Sequence, residues 1–267
     1  MNQDPPHRTI LLTVHEPRFY CPHIEPGVAR LDAAESRHAL LSLRLKPGVA
    51  VVLFDGCGRV GYGRLADPGV EAREPDANRK HRRTPPGAAV YVERVLLVPP
   101  PARTLTLVCP GCKGDRLDWL VEKCTELGVT TLRIAQFARS VVQPGETRID
   151  KLRRSTVEAG KQSRRAWLPE ITAAMPLAEA VASAPQGGLI VADPDEQAPS
   201  LASWLHGHAL NAQHLAAVVG PEGGITADEM SLLRARGAQI VRLADQILRV
   251  ETAAVAIAAN WAARGGV

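Results

Sequence analysis

Two short segments near the C-terminus hold the residue types from which a small-molecule site can be built. The apolar run Leu215–Val219 stops abruptly at Gly220-Pro221-Glu222-Gly223-Gly224. Further on, Leu243-Ala244-Asp245-Gln246-Ile247-Leu248-Arg249-Val250-Glu251-Thr252 runs into an alanine-rich stretch that begins with Ala253. Glycines without a Cβ let backbone N–H and C=O groups approach a ligand closely. In open α/β sheets, ligands bind at the carboxyl ends of strands, where the first of these loops falls. Arg249 and Glu251 add a cation and a carboxylate. An arginine can stabilise negative charge developing on carbonyl oxygens, and a carboxylate can take up a proton. The plain structural alternative places Glu251 at a helix N-terminus, paired with Arg249.

The elements that must position these loops are legible on either side of them. Thr226 and Glu229 form a capping box that starts a helix, and Gly237 ends it. Strand candidates are Leu105–Cys109, Leu132–Gln136, Leu189–Ala192, Leu215–Val219 and Gln239–Leu243. Between the first two, Leu117, Leu120, Val121, Cys124 and Leu127 recur at helical spacing, and Gly128 closes that helix. A second long helix is predicted over Arg148–Arg165, and a last one over Glu251–Ala263, with seven alanines. Strands alternating with helices predict a mainly parallel α/β sheet covered on both faces. On the long helix, Arg154, Lys161 and Arg165 fall at i, i+7 and i+11 and are expected to share a basic face that tracks phosphates.

The first part of the chain is built differently. Short apolar runs broken by Leu45-Lys46-Pro47-Gly48, Asp55-Gly56 and Asp67-Pro68-Gly69 predict a small β-barrel with one helical stretch, around Ala33 to Leu43. The domain boundary is expected near residue 85. Arg79-Lys80-His81-Arg82-Arg83 reads as a basic loop between strands. Gly56-Cys57-Gly58-Arg59-Val60-Gly61 matches a dinucleotide fingerprint by letter, but Tyr62-Gly63-Arg64 continues it as a strand, so a hairpin is expected. Cys109-Pro110-Gly111-Cys112 lacks the second pair a zinc site needs, and reads as strand-end cysteines packed as small hydrophobes. No metal site is expected.

Composition narrows the class. The chain has 267 residues, 45% hydrophobic and 4% aromatic, so its core must come from Leu, Val, Ile and Ala. Five cysteines without regular spacing predict reduced thiols. With no long apolar run and no leader-like N-terminus, a cytoplasmic protein is expected. A net charge of +4 permits nucleic-acid binding without demanding it.

Six motifs together, in order along the chain, resemble the ribosomal RNA small-subunit methyltransferase E family. They are His38-x-x-x-Ser42-Leu-Arg44-Leu-Lys46-x-Gly48 with Phe54-Asp-Gly56, Lys113-Gly-Asp-Arg116, Glu122-Lys-x-Thr-Glu-Leu-Gly-Val129, Glu158-Ala-x-x-Gln162-Ser163 with Arg165, Gly220–Gly224, and Ile247-Leu-Arg-x-Glu-Thr-Ala253. The resemblance implies a SPOUT-type, trefoil-knotted C-terminal region over 86–267 and a PUA-like RNA-binding domain over 1–85. It implies S-adenosylmethionine as cofactor, N3 of a uridine in 16S ribosomal RNA of the small subunit as methyl acceptor, and a homodimer.

On the matching positions, the implied cofactor residues are Val219, Gly220, Pro221, Glu222, Gly223, Gly224, Leu243, Ala244, Ile247, Leu248, Thr252 and Ala253. Arg249, Glu251 and Arg18 are the catalytic candidates, and Arg44, Lys46, Arg154, Lys161, Gln162 and Arg165 the RNA contacts. Ala244 stands where the family pattern has glycine, and Gln246 where it has arginine. If position 244 required a left-handed backbone, Ala244 would strain the loop. Two other readings share the fold: an RNA-binding assembly factor without catalysis, and a methyltransferase acting on transfer RNA.

Overall fold

The computed structural model describes residues 16–67, 87–184, 188–208 and 213–264. The chain divides into two compact units, Met1–Pro99 and Pro100–Val267. The basic loop Arg79–Arg83 lies outside the described residues.

The first unit contains β1 (Arg18–Tyr20), β2 (Gly27–Arg30), α1 (Ala33–Arg37, continued by a π turn over His38–Ser42), β3 (Ala50–Phe54), β4 (Arg59–Leu65) and β5 (Ala89–Leu97). They form one sheet in the order β1-β3-β4-β5-β2. β1 pairs parallel to β3 and the other pairs are antiparallel. This corrects the expected barrel: the sheet is mixed, with β1 and β2 as its two edges. The letter match at Gly56–Gly61 falls on the β3–β4 hairpin, where Asp55 Oδ1 accepts from the N–H groups of Cys57 and Arg59. The unit also extends beyond residue 85, to Pro99, because β5 pairs with both β4 and β2.

The second unit is a six-stranded parallel sheet. Its elements are β6 (Thr104–Cys109), α2 (Arg116–Glu126), β7 (Thr131–Gln136), α3 (Glu146–Ser163), β8 (Glu170–Pro176), α4 (Leu177–Ala180), β9 (Leu189–Ala192), α5 (Leu201–His208), β10 (His214–Val219), α6 (Ala227–Ala235), β11 (Gln239–Val241) and α7 (Val250–Ala263). The strand order is β11-β9-β10-β6-β7-β8, and every pair is parallel. β10 therefore inserts between β9 and β6, next to the point where the order reverses.

Alternation along β10 shows how the sheet is covered. Leu215, Ala217 and Val219 join a core with Leu117 and Leu120 of α2, Leu152 of α3, Trp204 of α5 and Ile257 of α7. Ala216 and Val218 point the other way, toward Ala180 of α4 and Leu233 of α6. Both faces are buried, as apolar runs without polar alternation require. The small residues Ala253, Ala254 and Ala258 bring α7 close to α2 and the strands, since each adds only a Cβ between backbones. Among the described residues, no helix is long and apolar enough to cross a membrane.

Candidate active site

A cavity of about 230 Å³ opens at the carboxyl ends of β9, β10 and β11. Three loops line it: Ala192-Asp193-Pro194 after β9, the glycine loop after β10, and Leu243 to Leu248 after β11, with Val250 and Ala253 of α7 beyond. Of the residues named from sequence, Val219, Gly220, Pro221, Glu222, Gly224, Leu243, Ala244, Ile247, Leu248 and Ala253 are at the wall. Gly223 and Thr252 are not among the lining residues. Asp193, Pro194, Ile225 and Gln246 line it as well. Asp193 and Pro194 carry no glycine signature. The signal for them was positional: Leu189–Ala192 was already a strand candidate, and its carboxyl end is where the rule for α/β sheets looks.

The glycine loop is fixed by its neighbours. Gly224 N–H donates to the Pro221 carbonyl at 2.8 Å, closing a turn. Gly220 packs so tightly that an added Cβ would sit 2.6 Å from Cγ1 of Ile225. Arg139, after β7, donates from Nη1 to the Gly223 carbonyl at 2.7 Å. The capping box of α6 forms as expected: Thr226 Oγ1 accepts from Glu229 N–H, and Glu229 Oε2 accepts from Thr226 N–H. Glu229 Oε1 also accepts from Ala138 N–H at 2.6 Å, tying the first turn of α6 to the loop after β7. Burial alone would raise the Glu229 carboxyl. The hydrogen bonds from Thr226 and Ala138, with Arg139 nearby, outweigh it and hold the group below the usual carboxylate range.

The loop after β11 has a different character. Among the described residues, positions 243–248 make no backbone–backbone hydrogen bond, so their donors and acceptors are open to other partners. Ala244 does not have a left-handed backbone, so alanine in place of glycine costs no strain there. Ile247 is 87% exposed at the rim.

Arg249 is the N-cap residue of α7 and is exposed. Glu251, in the first turn, is buried, with its side chain 10% exposed. Its partner is Arg116 (Nε to Oε1, 3.8 Å) and not Arg249, while Oε2 is buried without a hydrogen-bond partner. Arg116 also lies 3.9 Å from Glu222. It belonged to the Lys113–Arg116 motif but had no assigned role from sequence. Cys109, Cys112 and Cys124 are free thiols buried in the core beside this cluster. Burial, followed by the charges of Glu251 and Glu222, pushes the Cys112 thiol up to about 12. That matches the small-hydrophobe reading.

The expected basic face of α3 is thinner than its spacing implied. Arg154 and Gln162 are exposed, but the Lys161 side chain is only 10% exposed and pairs with Glu158 at 2.8 Å. Arg148 pairs with Asp118, and Arg153 with Asp150. The assignment of Arg165 to that face is corrected. The helix ends at Ser163, and Arg164 turns left-handed (φ 57°), which redirects the chain. Arg165 Nη1 instead donates to the carbonyls of Thr125 (2.7 Å) and Val129 (3.2 Å), where burial lowers its pKa. In the first unit, Arg44 (φ 52°) and Lys46 are exposed on the loop before β3, and the Arg18 guanidinium lies 5.1 Å from the Phe54 ring centroid.

Residues 99–262 match the RNA methyltransferase domain family, so the class of protein this parallel sheet and its loops define is an RNA methyltransferase. A ribosomal RNA small subunit methyltransferase E from Mycobacterium bovis is 35% identical over 235 residues, covering 85% of this chain and 83% of that one. The Synechocystis protein of the same name is 31% identical over 228 residues, 84% and 69% of the two chains. The chain belongs to the ribosomal RNA small subunit methyltransferase E family. Among solved structures, the family member from Neisseria gonorrhoeae, bound to S-adenosyl methionine, superposes with a TM-score of 0.74 at 27% identity, covering 92% and 96%. A chain from Legionella pneumophila at 22% identity shares the fold, with a TM-score of 0.76 over 94% and 98%.

Proposed function

We propose that this protein binds S-adenosylmethionine in the cavity at β9, β10 and β11 and methylates N3 of a uridine in 16S ribosomal RNA. The observation that carries the reading is the wall of that cavity. It pairs apolar side chains (Val219, Ile225, Leu243, Leu248) with a segment, 243–248, that makes no backbone–backbone hydrogen bond among the described residues. An adenine ring needs that combination of flat apolar contact and backbone donors and acceptors. Asp193 supplies a carboxylate for ribose hydroxyls.

When bound, the cofactor supplies an electrophilic methyl group on a sulfonium. The protein's task is alignment, with acid–base help at the acceptor. Loss of the N3 proton leaves negative charge on the uridine carbonyl oxygens. Arg249, exposed at the mouth of α7, is assigned to stabilise that charge. Glu251 is assigned to take the proton, directly or through water, on the oxygen that has no partner. Arg18 is the reserve candidate for the cationic role.

Arg44, Lys46, Arg154, Lys161 and Gln162 are assigned to hold RNA, and the first unit to act as the PUA-like RNA-binding module. The trefoil knot, the homodimer through α7 and a cytoplasmic location complete the reading. Its support is the family membership and the return of α7 onto α2 and β6. Mass spectrometry of 16S RNA from a strain lacking this gene tests it: one methyluridine should disappear and return on complementation. An unchanged modification profile would remove the assignment.

A further inference from the structure

The chain is poor in aromatic residues, with three tyrosines and three phenylalanines. All three phenylalanines are buried. Two of the tyrosines, Tyr62 and Tyr91, instead lie on adjacent strands of the first unit, away from its core. Tyr91 is 57% exposed and sits in register with Arg64 on β4 and Val28 on β2. Tyr62 is in register with Arg94, whose guanidinium carbon lies 4.3 Å from its ring centroid.

An irregularity in the ladder builds this arrangement. The β4–β5 register shifts between Tyr62 and Gly63, leaving Glu93 as the extra residue. In regular alternation Tyr91 and Glu93 would face outward and Arg94 inward. The bulge puts Glu93 and Arg94 both at the surface. Gly63 is what lets β5 come close enough: a Cβ there would lie 2.2 Å from the Tyr91 carbonyl oxygen. Glu93 is taken up by Arg64 (3.2 Å), whose Nη1 also holds the Gly48 carbonyl at 3.0 Å. That ties the turn carrying exposed Lys46 to the rim of the same face.

We infer that this face of β4 and β5 is a stacking platform for unpaired RNA bases, with Tyr91 and the Arg94–Tyr62 pair as the two stacking surfaces. Unpaired bases stack on aromatic rings and on guanidinium planes, whereas a duplex offers no free base face. Lys46, Arg64 and Arg94 outnumber Glu93, which complements a phosphate backbone. The inference rests on the RNA-methyltransferase reading and adds the state of its substrate: single-stranded where it crosses this unit.

The test uses the full-length protein, with a short uridine-rich single-stranded RNA and an RNA duplex as anisotropy probes. Tyr91→Ala should weaken single-strand affinity about tenfold, in the range measured for loss of one stacking partner, and leave duplex affinity unchanged. Tyr91→Phe, which keeps the ring, should bind as wild type does. Arg94→Ala should weaken binding and lower the log–log salt slope by about one. Wild-type affinity in Tyr91→Ala would overturn the platform, as would equal losses in the Phe and Ala variants. A loss of self-association in Tyr91→Ala by sedimentation would also overturn it, assigning the face to a second copy of the chain. Methylation of small subunits by the wild type is scored separately. An active wild type with an indifferent Tyr91 sinks only the platform, and an inactive one with Tyr91-dependent RNA binding sinks only the enzyme reading.

Discussion

Arg116 Nε lies 3.8 Å from Glu251 Oε1, and the same guanidinium stands 3.9 Å from Glu222. The first residue of α2 thus links the glycine loop after β10 to the first turn of α7, two walls of one cavity. Because Glu251 is buried and Arg116 half exposed, the pair falls between the surface and buried limits for ion pairs. A double-mutant cycle of Arg116→Ala and Glu251→Gln should give a coupling of about 1 kcal/mol in urea unfolding. Additive effects would show that the two do not act on each other.

Gly220 is the sharper probe of the pocket than Gly223. A Cβ at Gly223 would lie 3.1 Å from Arg139 Cβ, a contact that a shift of a few tenths of an ångström relieves, whereas one at Gly220 meets Cγ1 of Ile225 inside the wall at 2.6 Å. Gly220→Val should therefore displace Ile225 into the cavity and lower S-adenosylmethionine affinity by roughly tenfold or more, since overpacking forces neighbours to shift. Calorimetry on the folded variant reads this. Unchanged affinity would move the cofactor site elsewhere.

Three arginines should separate into three phenotypes. Arg154→Ala should weaken RNA binding and reduce the salt slope by about one. Arg165→Ala should leave that slope alone and lower stability by about 1–3 kcal/mol, because the carbonyls of Thr125 and Val129 lose their donor. Arg249→Ala should bind RNA and cofactor, yet lower the saturated single-turnover rate by roughly a hundredfold. A wild-type rate in that variant would pass the role to Arg18.

The capping network gives a pH signature. The Glu229 carboxyl is held below its ordinary value of 4.5, so its contribution to stability is complete above that value and lost as pH falls through the folded one. Glu229→Gln should be less stable than wild type at neutral pH. The gap between them, measured by urea unfolding, should narrow on acidification below about pH 4. A gap independent of pH would place the effect outside the carboxylate.

Much of this was readable before the fold. β9 and the body of β10 are apolar runs, β6 and β7 are short Leu/Ile/Val-rich segments interrupted only by Thr106 and Arg133, and the α6 capping box carries its own signature. β8 was missed because Glu170–Pro176 is a half-exposed edge strand without a continuous apolar run. Asp193 and Pro194 escaped because strand order, which seats β9 beside β10, is a tertiary property. Arg165 was misplaced by extending helical spacing past a left-handed Arg164, a stop no glycine announced. The barrel failed for a related reason: turn spacing gives hairpins, but whether the outer strands meet depends on register.

The central claim is the reaction itself. Small ribosomal subunits from a strain lacking this gene can be incubated with the purified protein and methyl-labelled S-adenosylmethionine, and the 16S RNA digested to nucleosides for mass spectrometry. The account predicts the label in 3-methyluridine and nowhere else. Label on a ribose 2′-oxygen or another base atom, or no label despite cofactor binding, would contradict it.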